Sequence, residues 1–149
     1  MKVTDCLMAE HQVLLRQMEH LHQNLGQPEI SPELLRAALK LFESGLAGHA
    51  ALEEEHLYPA LEPHLGRDSG PLAVMDAEHN DIRATLGLMA EGEDPSEIRA
   101  LLGHLLEVLY SHFSKEESVL FPMAESYLSS AELEDLGEKS TAGDRPPPF

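Results

Sequence analysis

Two stretches of the chain place the same metal-ligating residue types at the same spacing. His49-x3-Glu53-Glu54 runs into Leu57-Tyr58-Pro59, and His112-x3-Glu116-Glu117 runs into Leu120-Phe121-Pro122. Each follows an upstream Glu-His pair, Glu10-His11 and Glu78-His79. On a helix, a His and a Glu four apart differ by about 40° around the axis and about 6 Å along it, so both side chains reach one point beside the helix. Two such pairs and one histidine from each of two further helices give four imidazoles and two carboxylates: His11, His49, Glu53, His79, His112 and Glu116.

That inventory limits the metal. No thiolate joins the constellation, which argues against a closed structural zinc site of the cysteine type; imidazole with carboxylate suits iron, manganese, zinc or cobalt. A dinuclear centre bridged by carboxylates is the natural use, because helix bundles build such sites from inward-facing Glu and His on facing helices. A lone histidine on an apolar face is more often a hydrogen-bonded core residue than a ligand. Here four fall at one level, two of them paired with a Glu, and burying two carboxylates without a counter-charge would cost several kcal/mol each. Glu54 and Glu117 point about 100° away from the ligand direction and read as solvated or as supports behind a ligand. Glu10 and Glu78 read as surface carboxylates, although they could orient an imidazole. His56, two turns on from His49, reads as a non-ligand; His20, His22, His64 and His104 read as polar or partly exposed. Cys6 reads as a buried hydrophobe, and Met18, Met75 and Met89 as core.

The elements that must position these residues are helices. Thr4 or Asp5 can cap the first, whose Leu7, Leu14, Leu15, Met18, Leu21 and Leu25 recur at helical spacing before Gly26-Gln27-Pro28. Ser31-Pro32 opens the second, which carries His49 and Glu53 and is expected to close at Pro59 and Pro63. Gly70-Pro71 opens the third, and Glu91-Gly92 ends it. Asp94-Pro95-Ser96-Glu97 has the form of a capping box for the fourth, which runs to Pro122. Ser129-x2-Glu132 has the same form ahead of a short fifth helix. Short connections make neighbouring helices antiparallel, so the expected fold is all-α: an up-down-up-down four-helix bundle over residues 1–128, then a short C-terminal helix and a flexible Pro-rich tail over 129–149. In that topology His11, His49, His79 and His112 share one layer near one end of the bundle.

Composition sets outer bounds. A chain of 149 residues with 42% hydrophobic content can bury one core. A net charge of −17, from 27 acidic against 10 basic residues, argues against nucleic acid or an anionic membrane as partner and attracts cations. A single cysteine excludes an intrachain disulfide. With no long apolar run and no signal peptide in the sequence, the cytoplasm is the expected location.

Over roughly residues 5 to 125 the arrangement resembles the hemerythrin-like domain of the HHE cation-binding type. The motifs that carry the likeness are Glu10-His11, His49-x3-Glu53 before Tyr58-Pro59, Glu78-His79, and His112-Phe113-x2-Glu116-Glu117 before Phe121-Pro122. The resemblance implies a non-haem di-iron centre, two iron ions held by His11, His49, His79 and His112 with Glu53 and Glu116 bridging, and an oxo or hydroxo bridge between them. It departs from the oxygen-carrying hemerythrins. Those have a second histidine four residues after the one at His79, where this chain has Arg83, and their last carboxylate falls at the place of Glu117. Counting ligands on this pattern leaves one open position on each iron, with Arg83 expected beside it. The expected function is therefore binding of, or reaction with, O2, NO or peroxide. The rivals are iron handling, through storage, delivery or metal-dependent folding, and a zinc-stabilised bundle acting through a protein partner.

Overall fold

The computed structural model of the chain describes residues 1–25 and 30–140. The expected break at Gly26-Gln27-Pro28 and the expected flexible tail beyond Ser140 lie outside the described residues, as does the Leu25 side chain. Among the described residues there are five helices and no strand. Helix α1 is Val3–Leu25; α2 runs Pro32–Leu52, then a π-helical turn Glu53–Leu57, then Tyr58–Leu65. Helix α3 is Pro71–Glu91; α4 runs Pro95–Lys115, a second π-helical turn Glu116–Leu120, then Phe121–Tyr127; α5 is Ser130–Lys139. Helix α1 packs on α2 and α4, and α3 packs on the same two, which closes the four-helix bundle expected from the pattern.

The punctuation works locally as the residues dictate, with three exceptions. The Ser31 hydroxyl accepts the N–H of Leu34, and Ser129 with Glu132 forms a reciprocal capping box. Asp94 caps α4 through the N–H of Ser96, two residues on, rather than through the capping box with Glu97 that its pattern suggests, because its short side chain reaches the nearer N–H. Thr4 is no cap: α1 begins before it, and its buried hydroxyl donates to Glu125 Oε1 at 2.5 Å.

The largest exception concerns the prolines. Neither Pro59 nor Pro63 closes α2, and Pro122 does not close α4. The Tyr58 N–H donates to the Glu53 carbonyl and the Phe121 N–H to the Glu116 carbonyl, five residues back, so each helix widens by one residue just ahead of its proline. The proline then occupies the first turn of the segment that resumes, where a missing N–H costs nothing. Helix α2 ends instead at Gly66, which adopts φ +73°.

This extension relocates the predicted ligand layer. One apolar cluster, including Leu14, Met18, Phe42, Leu102 and Leu105, lies on one side of it. A second cluster, including Val3, Leu7, Leu61, Leu72 and Leu120, lies on the other. The layer is therefore enclosed between two cores rather than near an end. Helix α5 completes the second core with Leu133 and Leu136, and its Gly137 comes so close to the Met1 carbonyl that an added Cβ would overlap it.

Candidate metal centre

All six predicted ligands meet in the layer between the two cores, and none is more than 4% exposed. They form two groups that share both carboxylates: His11, His49, Glu53 and Glu116, and Glu53, His79, His112 and Glu116. In the His11 half, His11 Nε2 lies 2.9 Å from Glu116 Oε2, and His49 Nε2 lies 3.0 Å from Glu53 Oε1. In the His79 half, His79 Nε2 lies 3.1 Å from Glu53 Oε2, and His112 Nε2 lies 3.0 Å from Glu116 Oε1. Each carboxylate thus turns one oxygen to each half. The π turns begin at these two residues, which sets Glu53 and Glu116 at the same place in both repeats.

Each imidazole is also held from behind. His49 Nδ1 donates to Glu10 at 2.8 Å, His11 Nδ1 to Glu117 at 2.9 Å, His79 Nδ1 to Glu54 at 2.6 Å and His112 Nδ1 to Glu78 at 3.1 Å. A carboxylate can only accept from these nitrogens, so Nδ1 carries a proton, and Nε2 is the nitrogen that can offer a lone pair to a cation in the centre. The expectation that Glu10 and Glu78 are plain surface residues is corrected by these bonds. Both are partly covered, because the imidazoles project toward the position that precedes the ligand on the neighbouring helix. Lys115 anchors Glu78 from outside, and Arg83 anchors Glu54 with Nη2 at 2.7 and 2.6 Å from its two oxygens. Arg83 therefore acts on His79 through Glu54 and is half exposed, rather than facing the centre as expected.

The donor set fits a cation pair on two observations. First, ring nitrogens that offer no proton to a carboxylate behind them face each other at 3.1 Å in His11 and His49 and at 3.0 Å in His79 and His112. Two acceptors at that distance repel unless a positive charge lies between them and the carboxylates. Second, Glu53 Oε1 and Glu116 Oε2 are buried and accept no hydrogen bond. The charge balance agrees. Burial, and then the charge of Glu53, push the Glu116 carboxyl up to about 8. Burial also opposes ionisation of Glu53, yet His49 and His79 hold it well below the usual carboxylate range. Burial would lower His49, but Glu53, Glu10 and Glu116 outweigh it and hold the imidazole at about 10. His112 is lowered, chiefly by burial. Protons thus sit where cations would otherwise compensate two facing carboxylates.

Tyr58 is the site residue that pattern reading missed. It is fully buried and its hydroxyl lies 3.2 Å from Glu53 Oε2 and 3.4 Å from Glu116 Oε1. Burial and those two charges push it far above the ordinary phenol range. The signal was the offset of five residues from each glutamate to an aromatic, Tyr58 in one repeat and Phe121 in the other. Phe113 forms an apolar wall, stacked on His11 at 4.0 Å between centroids. His56 belongs to neither donor group; it lines a cavity of about 630 Å³ between α1 and α2 that also reaches Glu10 and His49. Cys6 is only partly buried. His20, His22, His64 and His104 are exposed.

Comparison with known proteins gives a consistent picture. The family described as the hemerythrin HHE cation binding domain matches residues 2–124. An iron-sulfur cluster repair protein YtfE from Musicola paradisiaca is 30% identical over 124 residues, covering 75% of this chain and 54% of that protein. The protein of the same name from Enterobacter sp. is 30% identical over 105 residues, covering 62% and 48%. That from Escherichia coli O157:H7 is 28% identical over 119 residues, covering 72% and 53%. The chain spans about half the length of these curated relatives. No solved structure matches it significantly. No helix among the described residues is long and apolar enough to cross a membrane.

Proposed function

The chain belongs to the hemerythrin HHE cation-binding family, and on that premise we propose that it is a non-haem di-iron protein whose centre binds or reacts with O2, NO or peroxide. The observation that carries the reading is the sharing of Glu53 and Glu116, each with one oxygen toward His11 and His49 and the other toward His79 and His112. Iron held there would supply one-electron chemistry and open coordination positions for a small ligand. The protein's own part is to fix the imidazole tautomers from Glu10, Glu54, Glu78 and Glu117, and to keep bulk water out with Phe113 and the two cores.

A route for a small ligand supports this use. A cavity of about 410 Å³ between α2 and α3 reaches His49, His79 and His112, and the Glu54 and Arg83 pair forms part of its wall. A Cβ at Gly87, on the same wall, would meet nothing within 4 Å, so the position accepts a side chain. Gly87→Leu should keep the iron and slow association of NO with the diferrous protein several-fold, whereas Arg83→Ala should keep the iron and speed it. Stopped-flow mixing with NO tests both; unchanged rates would remove this cavity as the route. Anaerobic loading with ferrous iron followed by air and, separately, NO tests the function itself. New charge-transfer bands with the iron retained are expected, and a spectrum silent to both gases overturns the reading.

Iron handling is the second reading, and the relatives' description as iron-sulfur cluster repair proteins favours it. It predicts that air oxidation releases the iron to a chelator instead of leaving it bound.

A further inference from the structure

We propose that the Tyr58 hydroxyl oxygen is a ligand to the metal of the His79 half, so that the two metal positions of the centre are chemically unequal. The inference rests on the di-iron reading above and adds a donor outside the six-residue set.

The spacing of the buried donor atoms carries this assignment. Donor atoms that each lie about 2.1 Å from one metal, at right angles to each other, are about 3 Å apart. The His79 half already shows that spacing between His79 Nε2 and His112 Nε2 at 3.0 Å, between His79 Nε2 and Glu53 Oε2 at 3.1 Å, and between His112 Nε2 and Glu116 Oε1 at 3.0 Å. Tyr58 Oη stands 3.2 Å from Glu53 Oε2, 3.4 Å from Glu116 Oε1 and 3.5 Å from His79 Nε2. It therefore extends the same polyhedron by one vertex. The ring is fully buried and stacked on His79 at 5.7 Å between centroids, which gives the oxygen a fixed aim.

The other half lacks this donor. At the equivalent place in the second repeat stands Phe121, whose ring stacks on His11 at 5.5 Å and offers no oxygen. The carboxylate oxygens on that side, Glu53 Oε1 and Glu116 Oε2, are the ones that accept no hydrogen bond, while their partners on the His79 side receive the Tyr58 hydroxyl. The Tyr58-for-Phe121 difference between the repeats thus gives the two halves different donor sets.

Ligation forms a bond from the phenol oxygen to ferric iron and releases the phenol proton to water, as a bound cation reverses the field that otherwise retains it. The position that ligand counting leaves open on each iron is then occupied in the His79 half. That would leave the His11 half as the one with an open position for a small ligand.

Resonance Raman and visible absorption of the iron-loaded, air-oxidised protein test this. The wild type should show a phenolate-to-iron charge-transfer band with enhanced tyrosinate ring vibrations, and Tyr58→Phe should lose both at unchanged iron content. Phe121→Tyr should raise the band roughly twofold by supplying the missing donor to the other half. An iron-loaded wild type without tyrosinate vibrations, or a band that survives in Tyr58→Phe, overturns the inference and leaves the di-iron reading standing. A wild type that holds no iron overturns both.

Discussion

Glu53→Ala and Glu116→Ala should each abolish binding of both metal ions, whereas His112→Ala should leave one position able to bind. Each carboxylate presents one oxygen to the His11 half and the other to the His79 half, so its removal takes a donor from both groups at once. The same change leaves the other carboxylate alone among four imidazoles, with too little negative charge to hold two divalent ions. His112 faces only the His79 half, where its Nε2 lies beside Glu116 Oε1. Glu54→Ala serves as the intermediate case. It removes the support of His79 without removing a donor, and such losses weaken metal affinity by about 10 to 100-fold. Metal analysis of each variant after dialysis against weak chelator decides the matter. A Glu53→Ala protein that retains one tightly held ion would show that the carboxylates serve one metal each.

Removing the metal should lower the thermal midpoint by on the order of 10 °C or more. A ligand bound at a thousand times its dissociation constant stabilises a fold by about 4 kcal/mol, and in a chain of this size ~1 kcal/mol moves the midpoint by about 2 to 4 °C. Without cations the layer keeps two facing carboxylates fully buried, and only protons on Glu116 and His49 are left to compensate them. The pH dependence has a definite sign. In the metal-free fold Glu116 is raised from 4.5 to about 8 and His49 from 6.5 to about 10. Both therefore stabilise the fold fully below their unfolded values and lose that contribution as pH rises through about 8 and about 10 respectively. Glu53 is depressed and contributes in the opposite sense, but only in acid, as pH falls through its lowered value. Metal-free protein should accordingly weaken from neutral to alkaline pH while loaded protein gains affinity as protons leave its ligands, so the gap between melts with and without chelator widens. Equal midpoints at all pH values would mean that the carboxylates are not compensated by metal.

The helices, their antiparallel order and the meeting of the six candidate ligand residues were legible because they depend on local periodicity and on short connections, and both survive folding unchanged. What was not legible depends on how one helix is cut to meet another. Proline reads as a stop when only its missing N–H and its ring are considered. Pro59 and Pro122 instead follow π turns that reset the helix, and the layer is enclosed as a result. Glu54 reads as pointing about 100° away from the centre, solvated or supporting a ligand from behind, and the spacing alone does not decide between the two. That direction leads to Nδ1 of His79 on α3, not to solvent, because an imidazole whose Nε2 faces the centre turns its Nδ1 outward to the flank of the next helix. The same geometry brings Glu10 to His49, Glu78 to His112 and Glu117 to His11. Arg83 lies one turn after His79, as helical spacing requires, but spacing could not show that Glu54 intercepts its guanidinium.

The most direct test of the account is the metal content of the protein itself, purified from iron-replete cells and reconstituted anaerobically with ferrous iron. Two donor groups sharing two carboxylates predict about two iron ions bound per chain, with the second lost together with the first when Glu53 or Glu116 is replaced. A plateau at one ion per chain, or zinc in place of iron, would contradict it.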